Sequence, residues 1–218
     1  MTQFKLPGIY PILDTALLDR LGFGYVAAAE ALIEGGAGIL QFRHKRFWSR
    51  EVFAAAERIA AVCRPAGVLF VVNNRADYAA VLGAALGVGL HVGQDDLSPA
   101  DARRVVGPGT VLGYSTHSPE QVAGAEVDGA DYLAFGPIFA TRSKDQPDPT
   151  VGIAGLKAIR ALTRKPLVAI GGITRDNAFT CRNAGADSVA VIADLYPEPC
   201  TKVTLRDRMG EWRELTAR

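Results

Sequence analysis

Eight short apolar runs, each followed by an Ala-rich amphipathic segment, recur along the chain. This alternation limits the fold more than any other feature. The runs cover 9–13, 39–42, 69–73, 89–92, 111–114, 132–135, 167–170 and 188–192. They are rich in Val, Ile and Leu and nearly continuous in apolar character, as strands covered on both faces should be. Helical periodicity falls between them, over 24–34, 49–64, 75–82, 99–106, 119–127, 153–163 and 175–183, with a closing helix over roughly 203–215. Ser49, Ser98 and Ser118 stand where N-caps belong, the last two followed directly by proline. Eight strand–helix units average about 27 residues each, near the short limit for a closed parallel barrel. Gly129-Ala130-Asp131 and Gly185-Ala186-Asp187 precede the sixth and eighth runs, and Gly36-Ala37-Gly38 precedes the second. Glycine at such helix-to-strand turns takes the left-handed end-of-helix conformation. The expectation is an α/β protein, a single-domain (β/α)8 TIM barrel over 1–218. The runner-up, an open doubly wound sheet, lacks a Gly-x-Gly-x-x-Gly opening its first helix.

A hydrophobic content of 49% suits a chain with a real core. The formal net charge is +1, so no general basic field argues for nucleic acid or a membrane surface, and any anion binding must be local. Neither partner is expected. Cys63, Cys181 and Cys200 are odd in number and lack metal-ligand spacing, which reads as reduced thiols in a cytoplasmic protein. No apolar run has the length of a signal peptide or a membrane span.

In such a barrel the working end lies at the C-terminal ends of the strands. Those ends carry Gln41, Arg43 and Lys45; Asn73 and Asn74; Gln94, Asp95 and Asp96; and Ser115, Thr116 and His117. Side chains on a strand alternate faces, so Gln41, Arg43 and Lys45 share one face with Ile39, while Leu40, Phe42 and His44 point the other way. Two cations on one face invite an anion, although solvated charges at a strand edge would look the same. Gly171-Gly172-Ile173-Thr174 leads toward a helix expected near Arg175, a setting that can bring phosphate to backbone N–H groups; a plain glycine-rich turn is the other reading. The loop after the sixth run carries Thr141, Arg142, Ser143 and Lys144, either a lid over an anion or a solvated surface loop.

Six segments in order, each at a strand end, make the chain resemble the thiamine-phosphate synthase family along nearly its whole length. They are Gln41-Phe42-Arg43-His44-Lys45, Asn73-Asn74-Arg75-Ala76-Asp77, His91-Val92-Gly93-Gln94-Asp95-Asp96, Gly113-Tyr114-Ser115-Thr116-His117-Ser118, Gly136-Pro137-Ile138-Phe139-Ala140-Thr141-Arg142-Ser143-Lys144 and Ala169-Ile170-Gly171-Gly172-Ile173-Thr174. The resemblance implies coupling of 4-amino-2-methyl-5-(diphosphooxymethyl)pyrimidine to a thiazole phosphate, releasing pyrophosphate, with Mg2+ as cofactor. By position, Gln41, Arg43, Lys45, Asn73, Ser115 and Lys144 would hold the pyrimidine and its diphosphate, with Arg43, Lys45, Ser115 and Lys144 as the catalytic set. Thr141, Ser143, Gly172 and the backbone at Ile192 and Ala193 would hold the thiazole phosphate. Phe42, His44 and Arg142 belong to the matched substrate-contact segments. Asp96 and position 74 would bind the metal. Two small phosphorylated molecules are the implied partners, and association with further copies of the chain is left open.

Three positions depart from the family's pattern. Asn74 stands where a metal-binding aspartate is usual, so weaker metal affinity is expected. His44 replaces a commonly acidic residue, and Ala193 replaces a serine that usually adds a hydroxyl to phosphate. A sister branch of the same fold tautomerises thiazoles with a histidine in the place of His117, and a non-catalytic phosphate-ligand sensor is a further alternative. Against tautomerisation, Asp96, Lys45 and Lys144 have little reason to stand together without a diphosphate; against a sensor, no partner tail or second domain is expected.

Overall fold

The structure is a computed structural model, describing residues 5–127, 129–141 and 149–217. Eight parallel strands close in sequence order into one barrel: β1 Ile9–Asp14, β2 Ile39–Arg43, β3 Leu69–Asn73, β4 Gly89–Val92, β5 Leu112–Thr116, β6 Tyr132–Phe135, β7 Leu167–Ile170 and β8 Ser188–Val191. The (β/α)8 expectation holds. Helices cover the outside: α1 Thr15–Leu21, α2 Tyr25–Glu34, α3 Arg50–Cys63, α4 Ala76–Leu86, α5 Pro99–Val106, α6 Pro119–Val127, α7 Gly152–Leu162, α8 Ala178–Asn183 and α9 Lys202–Thr216.

The caps read from sequence are made. Ser49 Oγ accepts from Val52 N at 3.4 Å, Ser98 Oγ from Asp101 N at 3.1 Å and Ser118 Oγ from Gln121 N at 3.3 Å. The repeated Gly-Ala-Asp turns have a shared mechanical task. Asp131 Oδ2 accepts from the Leu112 N–H at 2.7 Å and pairs with Arg103, while Asp187 Oδ2 accepts from the Leu167 N–H at 2.8 Å and pairs with Arg160. Each aspartate thus pins the start of the preceding strand to its own, and Gly129 and Gly185, at φ +81° and +102°, turn the chain into that position.

Alternation along the strands divides the core into two layers. One set of residues, including Leu40, Phe42, Phe70, Leu90, Val92 and Leu133, packs outward against the helices. Tyr10, Ile12, Ile39, Val71, Tyr132, Ala134, Val168 and Ala190 fill the barrel interior. The interior is therefore packed at mid-height, and polar inward positions collect at the C-terminal end.

Three elements differ from the sequence reading. The seven-residue α1 was not expected; Asp14 caps it by accepting from Leu17 N, and Gly22 ends it at φ +63°. Helix α8 begins at Ala178 and not near Arg175, because Asn177 Oδ1 takes the Thr174 N–H at 2.9 Å and closes a separate turn first. A short 3₁₀ turn, Ala193–Leu195, follows β8.

Candidate active site

The inward-facing residues at the C-terminal ends of β2 to β5 form one rim. Gln41 is 5% exposed and donates from Nε2 to the Tyr10 hydroxyl at 3.1 Å. Arg43 does not stand as an unpaired cation. Its guanidinium is ion-paired with the buried Asp14, whose other oxygen caps α1, so its charge is answered inside the protein. Lys45 lies past the strand end, exposed, and its charge acts on His91 across the rim. Lys45 is thus the β2 cation presented to solvent.

Phe42 and His44 are placed away from this rim. Phe42 is fully buried among Tyr25, Trp48 and Phe70. His44 sits in the outer layer, sharing a hydrogen bond between Nδ1 and Thr15 Oγ1 at 2.8 Å and donating from Nε2 to the Phe47 carbonyl at 3.2 Å. Burial lowers its pKa. The Phe47 carbonyl can only accept, so Nε2 carries the proton and His44 ties the loop to α1. Neither side chain faces the barrel mouth, so the structure gives them no place beside the inward set; outward strand parity is the cause.

From β3, Asn73 is buried, and its Nδ2 is 3.5 Å from the His91 carbonyl while Oδ1 has no partner among the described residues. Asn74 follows at φ +68°, its N–H donating to the same carbonyl at 2.8 Å. Left-handed backbone is costly for most side chains but tolerated by Asn and Asp alike. Exchange of one for the other at 74 therefore keeps the loop and removes only a charge. After β4, Asp96 Oδ2 accepts from the Gly93 N–H at 2.7 Å, and Gln94 Nε2 donates to the Ser115 carbonyl at 2.5 Å. No group of three or more His, Cys, Asp or Glu side chains able to hold a metal occurs among the described residues.

Ser115, inward on β5, has its Oγ 2.9 Å from His91 Nε2. His91 is buried and its pKa falls to about 3, first through burial and then through the Lys45 charge, so the ring is neutral at any ordinary pH. Sequence reading quoted His91 within a motif but gave it no role. Its signal was the alternation of β4, where Leu90 and Val92 are outward and His91 is inward. Asp14, Tyr10 and Tyr132 were missed as well: the helix that Asp14 caps was not expected, and the two tyrosines lie in runs read as apolar strands.

The glycines after β7 have a demonstrable packing reason. Gly171 and Gly172 take φ +98° and +63°, and a Cβ on Gly172 would come within 2.4 Å of the Ala140 carbonyl. The start of the β6 loop is clamped across them, with Ile138 N donating to Ile170 O at 2.9 Å and Phe139 N to Gly171 O at 3.0 Å. The helix N-terminus expected to support phosphate here lies at Ala178, with the Thr174 N–H already taken by Asn177. Ile192 and Ala193 follow β8 directly, Ile192 against the interior layer and Ala193 exposed. Thr141 ends the described part of the β6 loop; Arg142, Ser143 and Lys144 lie outside the described residues. His117 is held by Nδ1 to the Gly136 carbonyl at 2.5 Å, and its N–H donates to Gln121.

A family model described as thiamine monophosphate synthase matches residues 9–195. The chain belongs to that family. It is 50% identical over 216 residues to a thiamine-phosphate synthase of Koribacter versatilis, covering 97% of this chain and 96% of the relative. A thiamine-phosphate synthase of Methanoculleus marisnigri is 45% identical over 207 residues, covering 93% and 95%. Among solved structures, the thiamine phosphate pyrophosphorylase of Pyrococcus furiosus superposes with a TM-score of 0.79 at 30% identity, covering 96% and 95%. The 2-keto-3-deoxy-6-phosphogluconate aldolase of Zymomonas mobilis shares the barrel alone, at 16% identity and a TM-score of 0.68. The described parts of the six strand-end segments lie at the C-terminal ends of their barrel strands, and no described helix is long and apolar enough to cross a membrane.

Proposed function

We propose that the chain is a transferase, a thiamine-phosphate synthase, joining 4-amino-2-methyl-5-(diphosphooxymethyl)pyrimidine to a thiazole phosphate. The C–O bond between the pyrimidine methylene and the diphosphate breaks, its electron pair leaving with pyrophosphate. The thiazole ring nitrogen then supplies the pair for the new C–N bond. The cation-like carbon between these events needs a stabilised leaving group, two partners held close, and water kept out. No protein nucleophile is required.

The observation that carries this reading is the gathering of Gln41, Asn73, Asp96 and Ser115 with the exposed Lys45 at one end of a barrel of this family. Lys45, Arg43 and the Ser115 hydroxyl hold the diphosphate, with Lys144 as a further cation of the set. The unpartnered Asn73 Oδ1 is a buried acceptor suited to the amino group of the pyrimidine. Thr141, Ser143 and Gly172, with the backbone at Ile192 and Ala193, hold the thiazole phosphate; Arg142 flanks that set.

Mg2+ fits the β3–β4 rim. Asp96 commits Oδ2 to its own loop and has Oδ1 left for a cation, and the Asn74 side-chain carbonyl is an oxygen donor on the neighbouring loop. Magnesium takes one or two protein carboxylates and completes its shell with phosphate and water oxygens, so the lack of a larger acidic cluster is no obstacle. When bound, it supplies charge to the departing diphosphate. Purified protein mixed with both precursors should form thiamine phosphate in the presence of magnesium and not in its absence. No product, together with interconversion of thiazole carboxylate isomers, overturns this reading in favour of tautomerisation at His117.

A further inference from the structure

A chain of hydrogen bonds crosses the barrel interior beneath the rim. Gln41 Nε2 meets the Tyr10 hydroxyl at 3.1 Å, the Tyr10 and Tyr132 hydroxyls lie 2.7 Å apart, Tyr132 OH is 3.1 Å from His91 Nδ1, and His91 Nε2 is 2.9 Å from Ser115 Oγ. Gln41, Tyr10, Tyr132 and His91 are each at most 5% exposed. The chain links β2, β1, β6, β4 and β5, so no local structure explains it. Gly113 on β5 makes it possible: a Cβ there would stand 2.4 Å from both His91 Nδ1 and the Tyr132 hydroxyl.

A hydroxyl gives one proton, and a neutral imidazole has one donor and one acceptor. Because the Gln41 amide N–H can only donate, Tyr10 accepts from it and gives its own proton to Tyr132. Tyr132 in turn gives its proton to His91 Nδ1. The His91 proton then sits on Nε2 and is donated to Ser115 Oγ, which frees the Ser115 proton to point out of the chain. Every member is satisfied in this one direction. The reverse direction needs the Gln41 amide turned over, and it ends with Ser115 donating inward to His91.

We propose that Tyr10 and Tyr132 are positioning residues that act through His91, fixing its Nε2–H tautomer so that the Ser115 hydroxyl is presented as a donor to the barrel mouth. Both ring nitrogens are engaged by groups of the protein, which preserves this asymmetry. The step from a presented hydroxyl to diphosphate recognition rests on the synthase reading above; the tautomer itself does not. For the substrate, an outward donor favours a group that gains negative charge, which is what the diphosphate becomes as it leaves.

The tautomer is read in the substrate-free protein by side-chain ¹⁵N NMR. With three histidines in the chain, His91→Asn assigns the His91 signals. The expected spectrum has a protonated Nε2 and a bare Nδ1. A protonated Nδ1 overturns the proposal. In Tyr132→Phe, the Nδ1 acceptor loses its donor, and the Nε2–H tautomer should give way to a mixture. Where that variant folds poorly, Tyr10→Phe weakens the same bond from one link further away and should move the spectrum in the same direction. In turnover, Tyr132→Phe should lower kcat about tenfold or more, with the KM for the pyrimidine diphosphate within about twofold. In a Ser115→Ala background the same change should cost almost nothing, because the group it positions is gone. An equal loss in both backgrounds assigns Tyr132 to packing and overturns the proposal. Wild-type protein that shows the expected tautomer and forms no thiamine phosphate overturns the synthase reading and leaves the tautomer assignment standing.

Discussion

Replacement of Asp14 by asparagine isolates the charge that Asp14 supplies to Arg43. The two side chains are 8% and 16% exposed, so the pair is largely out of water. Asp14 also accepts from the Leu17 N–H at 3.0 Å. Asparagine keeps an oxygen for that cap and removes the negative charge, leaving a largely buried guanidinium facing a neutral amide. Loss of one partner from a fully buried pair costs about 3–5 kcal/mol. Residual exposure of Arg43 and the remaining amide acceptor reduce this to about 2 kcal/mol. Asp14→Ala removes the cap as well and adds about 1 kcal/mol. For a chain of this size, about 2–4 °C in Tm accompanies each kcal/mol. Urea titration and calorimetry should therefore show Asp14→Asn lower by about 4–8 °C and Asp14→Ala lower again. Arg43 also loses its fixed aim, so kcat/KM for the pyrimidine diphosphate should fall in both variants. Asp14→Asn with a midpoint within about 1 °C of wild type would refute the view that the carboxylate answers the Arg43 charge.

Asn74→Asp should lower the magnesium concentration needed for half-maximal rate, read from rate against metal concentration; an unchanged requirement counts against position 74 as a metal ligand. Lys144→Ala should cut turnover strongly in steady-state assays, and a near-normal rate would return Lys144 to an ordinary surface loop. His91 ties acid stability to burial. Its folded pKa, about 3, lies below the ordinary 6.5, so below pH 6.5 the unfolded chain binds the proton first. Its contribution is fully present above pH 6.5 and is lost as pH falls, by about 1.4 kcal/mol per unit down to its folded pKa. His91→Asn should flatten that limb in urea titrations from pH 7 to 4, and an unchanged slope would show that His91 is not the group responsible. Asp131→Ala should destabilise the chain by about 1–3 kcal/mol by leaving the Leu112 N–H without its acceptor, measured by urea unfolding; a loss below about 0.5 kcal/mol would show that water replaces it.

The barrel was legible because its signal is repetitive. Eight apolar runs with capped helices between them admit few closed parallel arrangements, and strand boundaries fell within two residues of those observed. The strand-end rule also brought Gln41, Asn73, Asp96 and Ser115 together, and the structure sets them at one rim. What escaped was chemistry that depends on who faces whom across the barrel. Nothing local to Arg43 announces Asp14, 29 residues away, and nothing local to Ser115 announces a tyrosine on β1. Helix α1 escaped because seven residues are too few for periodicity to show, and its cap also serves the ion pair. The glycines after β7 answer to two demands. Gly171 and Gly172 fit a phosphate-binding turn in sequence, while their positive φ and the β6 loop pressed against them already demand glycine. Parity had already set Phe42 and His44 on the outward side of β2, and only the matched segment placed them among substrate contacts.

The most direct measurement is ³¹P NMR of the protein with the pyrimidine diphosphate, the thiazole phosphate and magnesium together. The expected result is pyrophosphate and thiamine phosphate appearing in equal amounts, with neither formed when the thiazole phosphate is left out beyond slow hydrolysis. Pyrophosphate released without thiamine phosphate, or both substrates left intact over many hours, would contradict a barrel mouth built to join them.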